Sequence, residues 1–188
     1  GPFKVTEWVP NDHYTLVRND NYWGEMPIAT SITCRVIPEG SARTIALEAG
    51  EIDVVWSVDP TDCANVESNP DVKLLSQPST GIDYVGMNTQ KEKFSDKRVR
   101  QAINYALDKQ AFVDTIIEGR GLVANSYINA AIPGWTDEVE AYPYDPEKAK
   151  ELLAEAGYPD GFECSIFVNG DLRTRSAQIL QAQLADVG

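Results

Sequence analysis

The stretch "VNGDLRTR" at residues 168–175 is the part of this chain whose residue types and spacing most directly suggest chemistry. A glycine followed by an acidic residue opens an apolar-periodic helix. Backbone N–H groups at a helix start, joined by an arginine, form a site suited to an anion. Asn169, Arg173 and Arg175 are the side chains within reach, and of the two arginines Arg173 is preferred as the anion partner. The competing reading is an ordinary solvated arginine in the first turn of a helix. Two aromatics stand out as possible contacts for an apolar ligand group, Trp56 at the end of an apolar run and Tyr84 within "IDYVGMN". For each, packing into a core explains the residue equally well. Asn88, at the end of the same run, either touches ligand or holds the backbone of the turn that follows.

Other chemistries are poorly supported. His13 is the only histidine, which removes histidine-cluster metal sites and leaves little basis for a His-dependent nucleophile. It lies in the alternating "NDHYTLVRN" and is expected on a strand surface. Cys34, Cys63 and Cys164 are odd in number and widely spaced, so neither a closed disulfide set nor a zinc site is indicated. They are read as small buried residues. "GRG" at 119–121 is a helix stop without a P-loop lysine, and "EVEAYPYDPE" lacks the oxygen-ligand spacing of a calcium loop. Carboxylates are plentiful, but abundance alone does not place two of them across a cleft. No cofactor or metal is expected, and catalysis is not the leading reading.

The elements that must position these residues follow from punctuation and periodicity. "FKVTEW" and "HYTLVRN" alternate around "VPND" and predict a β-hairpin. A further strand is expected in "SITCRVIP". A helix capped by Ser41 and stopped by Gly50 comes next, then a strand from Ile52 to Trp56. More strands are expected at 72–76 and 82–88. From Asp96 the spacing of Val99, Ala102, Ile103, Ala106 and Leu107 predicts an amphipathic helix with Arg98, Arg100 and Gln101 towards water. "KQAFVDTIIEG" continues as a second helix ending at Gly119. "YDPEKAKELLAEAGYPDGF" has Asp145 as cap, Pro146 at the first helical position and Gly157 at the end. A strand in "FECSIFVNG" and a last helix from Leu172 complete the reading.

At 188 residues, 43% of them hydrophobic, the chain can bury a substantial core. Its net charge of −13 argues against a nucleic-acid surface, which needs clustered lysine and arginine. No run approaches a membrane span, and "GPFKVTEWVP" lacks the charged and apolar regions of a signal peptide.

Four linked stretches carry a family resemblance: "GPFKVTEWVPNDHYTLVRNDNYWG", "EGSARTIALEAGEIDVVW", "VGMNTQKEKFSDKRVRQAINYALDKQAFVDTIIEGRG" and "YDPEKAKELLAEAGYPDGF". In order and spacing they resemble the family 5 extracellular solute-binding proteins, the peptide- and nickel-type binding components of bacterial ABC importers. The resemblance covers essentially the whole chain and corresponds to the middle of a longer family sequence. It implies an α/β, periplasmic-binding-protein-like fold of the two-lobed type II kind, with mixed sheets flanked by helices. Residues 1–84 would belong to lobe I and 85–188 to lobe II, with the hinge crossing near 82–90, where Gly81 and Gly86 ease bending.

The resemblance also implies a function. The expected role is capture of oligopeptides or dipeptides and delivery to an ABC transporter permease in the membrane, from the periplasm or the cell surface, with a lipoprotein anchor in the full-length parent. Peptide-binding relatives place an arginine in about this region against the ligand's C-terminal carboxylate, which favours Arg173. Nickel chelates and oligosaccharides remain open as ligands. An acidic α/β hydrolase is the alternative from another class, distinguished by turnover of chromogenic substrates. A middle portion of such a protein would leave strand edges unpaired, so self-association of this fragment and weak binding by it alone are expected.

Overall fold

The computed structural model describes all residues, 1–188, and divides into two compact units, Gly1–Leu74 and Leu75–Gly188. In the first, β1 (Phe3–Val9), β2 (His13–Arg18) and β3 (Ser31–Arg35) form one antiparallel sheet in the order β1-β2-β3. The β1–β2 hairpin turns at Pro10–Asp12, and Asn11 adopts a φ of 63°, a left-handed conformation that asparagine tolerates. A register shift between Val5 and Glu7 marks an irregularity in β1. His13 opens β2, as expected, between the carboxylates of Asp12 and Glu7 at 2.6 and 3.3 Å. These two acids raise its pKa above the ordinary histidine value, hydrogen bonding to Asp12 contributing most.

Helix α1 (Gly40–Glu48) follows, and Gly50 ends it with a φ of 71°. Its N-cap is Glu39, without a side-chain cap, so Ser41 does not have the expected role: the helix starts one residue ahead of it. Arg43 instead secures the approach, donating to the carbonyls of Ile37 (2.9 Å), Pro38 (2.8 Å) and Ser57 (3.3 Å). Asp59 accepts from Thr61 N–H and caps a 3-10 turn that leads into α2 (Cys63–Ser68). Ala46, Cys63 and Val66 are the buried apolar side chains of this unit.

In the second unit α3 (Glu92–Ser95), α4 (Lys97–Tyr105), α5 (Lys109–Ile116), α6 (Pro146–Glu155) and α7 (Asp171–Ala185) supply all the regular structure. Its core forms where α4 meets α6. Val99, Ala102 and Ala106 pack with Ala149, Leu152, Leu153 and Val187. Alanines at the seam let the helices approach closely while leucines fill the space between them. Asp145 caps α6 as expected, accepting from Lys148 N–H, and Asp96 and Asp108 cap α4 and α5 in the same way, accepting from Arg98 N–H and Ala111 N–H. Helix α4 stops at Tyr105, so Leu107 of the expected stripe lies beyond it. Arg98 and Arg100 are not simply directed to water. Arg98 pairs with Asp96 and donates to Glu155 O at 2.6 Å; Arg100 donates to Phe94 O and Ser95 O. Lys109 ties Asn104 O to Tyr142 O, both at 2.9 Å, and burial lowers its pKa.

Four expected strands, at 52–56, 72–76, 82–88 and in 162–170, do not form ladders. Their alternation is real, but a strand exists only where another backbone lies alongside to exchange a series of hydrogen bonds, and the contact of Phe162 N–H with Gly188 O is an isolated one. The sheet that forms is wholly antiparallel. Cysteine burial is also mixed: Cys63 is buried, Cys34 half-buried and Cys164 exposed, because residues 162–170 run along the surface. No helix is long and apolar enough to cross a membrane.

Candidate functional site

The segment around residues 79–84, in the second unit, is held by contacts from two directions. Ser79 first makes a local turn, its hydroxyl accepting from Gly81 N–H at 2.8 Å. The amide of Asn129 then donates to Ser79 O (2.9 Å) and Gly81 O (3.2 Å), while its Oδ1 accepts from Ala131 N–H. An asparagine that satisfies its own loop on one side and a distant backbone on the other fixes both segments. Two residues before Asn129, the Tyr127 ring lies 5.7 Å from that of Tyr84, tilted by 58°. Both rings are largely exposed, at 77% and 67%. An aromatic pair left open to solvent offers an apolar contact surface.

Arg173 reaches this segment from the first turn of α7. Its Nη1 donates to Asn169 Oδ1 at 3.1 Å, and its Nη2 to Asp83 Oδ1 at 3.4 Å. The helix start has no side-chain cap: Gly170, with φ 78° and ψ 157°, occupies the N-cap position. That backbone conformation is open to glycine and costly for other residues. Arg173 thus stands at an open helix N-terminus with a fork that is engaged from both ends and still 60% exposed. A planar guanidinium in this setting can receive a carboxylate.

The expected site residues separate into three groups. Arg173 and Asn169 come together, and Tyr84 follows directly after the Asp83 that Arg173 contacts. Asn88 has a backbone role: its Oδ1 accepts from Gln90 N–H and its carbonyl from Lys91 N–H, both at 3.0 Å, closing the turn into α3. Trp56 belongs to the first unit and is 90% exposed, so it is not packed in a core. Arg175, the neighbour of Arg173, is half-buried.

Asp83, Tyr127 and Asn129 were not singled out by the sequence reading. The signal for Asn129 was available in "NSYINAAIP", an asparagine ahead of small residues and a proline, which marks a side-chain-closed turn. Asp83 had none, because its partner is ninety positions away. Two hollows of the second unit lie elsewhere. One of about 40 Å³ opens on the apolar core beside Leu153, Phe162 and Leu184; another of about 280 Å³ is lined by Lys97, Arg100, Gln101, Asn104 and Tyr142. Arg173 itself offers an exposed guanidinium on this segment.

Comparison with known proteins places this geometry in context. The model of the bacterial extracellular solute-binding proteins, family 5 Middle, matches residues 1–188. Heme-binding protein A of Haemophilus influenzae is 35% identical over 195 residues, and the dipeptide-binding protein of Escherichia coli 32% over 195. Both alignments cover 100% of this chain and 36% of the relative. Among solved structures, the ABC transporter-associated periplasmic binding protein DppA from Helicobacter pylori, in complex with the peptide STSA, superposes with a TM-score of 0.90. It is 32% identical, and the match covers 100% of this chain and 37% of that one. The chain therefore spans little more than a third of the length of these relatives.

Proposed function

Because this chain belongs to the bacterial extracellular solute-binding proteins, family 5, we propose that it forms part of a non-catalytic receptor that captures peptides and hands them to the permease of an ABC importer. The observation that carries the ligand class is Arg173, exposed at the open start of α7 and held by Asn169 and Asp83. A peptide offers it a C-terminal carboxylate, and two parallel N–H···O bonds suit that pairing. Tyr84 and Tyr127 offer aromatic faces to the apolar part of a ligand. The dipeptide-binding relative and the peptide in the DppA complex support the same class.

In this reading, residues 1–84 and 85–188 contribute to two lobes, with the crossing near 82–90, where 82–88 forms no ladder and Asn88 closes the turn that follows. The boundary between compact units falls somewhat earlier, at Leu74–Leu75. A connection of this kind bends by small changes of φ and ψ at a few residues. The receptor would work in the periplasm or at the cell surface, anchored there as a lipoprotein.

Haem is the second ligand class, favoured by the 35% identity to heme-binding protein A. Its carboxylates would meet the same arginine. The two are separated by denaturing the full-length protein as purified and measuring the mass of whatever it releases. Peptides with free C-termini support the proposal, and a tetrapyrrole or a metal chelate in their place would overturn it.

A further inference from the structure

We propose that Asp83 sets the ligand specificity of this site by occupying, on the Arg173 fork, the place that a ligand carboxylate takes. The inference rests on Arg173 being the carboxylate anchor and concerns the group that competes for it.

Both terminal nitrogens of Arg173 are engaged, but unequally. Asn169 lies four positions before Arg173 and presents a neutral amide oxygen to Nη1 at 3.1 Å, a local contact that orients the fork. Asp83 comes from a distant segment and meets Nη2 through one oxygen at 3.4 Å. A carboxylate can take an arginine through two parallel bonds of 2.7–2.9 Å, so the Asp83 contact is single and long by that standard. The two side chains are 60% and 81% exposed, and a pair in that setting is only weakly favoured. Asp83 is therefore a displaceable occupant. It neutralises the arginine and yields to a carboxylate with better geometry.

Displacement has a second consequence. Once a ligand carboxylate takes the fork, Asp83 is left beside it as a like charge, which opposes binding. The segment that carries Asp83 is itself fixed by Asn129 through Ser79 O and Gly81 O, which limits how far the carboxylate can withdraw. Asp83 thus lowers the affinity for a carboxylate that takes the fork and leaves a neutral ligand end unaffected, which narrows the preference for acid over amide.

The sign of the effect makes this testable. Asp83→Asn removes the competing charge and keeps the shape; Asp83→Ser removes both. In the full-length protein, calorimetry with the tetrapeptide Ser-Thr-Ser-Ala and with its C-terminal amide should show both variants binding the free acid more tightly than wild type. The gain expected is about two- to five-fold, the range of an exposed ion pair. Affinity for the amide should not change. If both variants bind the acid as wild type does or more weakly, while Arg173→Ala still abolishes the preference for the acid over the amide, the anchor stands and the competitor is refuted. Equal binding of acid and amide by wild type, or no binding of either, would refute the anchor itself and Asp83 with it.

Discussion

Arg98 Nη2 lies 2.6 Å from Asp96 Oδ2, and the same guanidinium reaches Glu155 O with Nη1, also at 2.6 Å. Asp96 thus caps α4 and, through Arg98, ties the start of α4 to the end of α6. The guanidinium holds the Asp96 carboxyl at a pKa of about 2, below the ordinary value of 3.8. Because the folded value is the lower one, the unfolded chain binds the proton more readily. The contribution to stability is present above the unfolded value and is lost as pH falls through the folded one. Thermal melts of the second unit between pH 5 and pH 2 should show Tm falling in that window. Asp96→Asn should lower Tm at neutral pH and flatten the acid slope, and an unchanged slope would contradict the assignment.

Leu153 tests the α4–α6 seam. It is 6% exposed and packs with Val99, Ala102 and Ala106 in the core. Leu153→Ala should destabilise the second unit by about 2–5 kcal/mol through lost burial and the cavity left behind. Urea titration followed by tyrosine fluorescence reads this as a lower midpoint.

Gly161 tests the close approach of two backbone segments. Its φ is 74°, and a Cβ there would stand 2.0 Å from Gly188 O, while Phe162 N donates to that same oxygen at 3.2 Å. Gly161→Ala combines a disfavoured backbone with a contact that cannot be accommodated by turning a side chain. A loss of about 1–3 kcal/mol is expected, with amide exchange quickening at Phe162. Gly157→Ala is a useful comparison, since its φ is 93° and nothing lies within 4 Å of the added Cβ.

What could be read from the sequence follows the range of the interactions involved. Helix α6 was legible because everything that makes it is local, with Asp145 as cap, Pro146 at the first position and Gly157 at the end; the stripe of small and branched apolar residues likewise placed α4, which stops at Tyr105, short of the Leu107 in that stripe. The β1–β2 hairpin was legible because its turn lies between its own strands. The runs at 82–88 and 162–170 have the same alternation, yet pairing is a property of two segments, and a pattern in one says nothing of its neighbour. The site divides in the same way. Arg173 and Asn169 share one short stretch and were visible together. Asp83 and Asn129 matter through partners ninety and fifty positions distant, and only the fold brings those together.

The central claim is that Arg173 receives a ligand carboxylate, and affinity for free and amidated forms of one peptide tests it most directly. In the full-length protein, Arg173→Ala should weaken binding of the free acid by about 2–5 kcal/mol, the penalty for removing one member of a charge pair that closure around the ligand desolvates. Amidation should weaken wild-type binding by a similar amount and scarcely alter that of the variant, because both changes delete one contact. Arg175→Ala should retain the preference for the acid. Equal affinity of wild type for acid and amide would contradict the account.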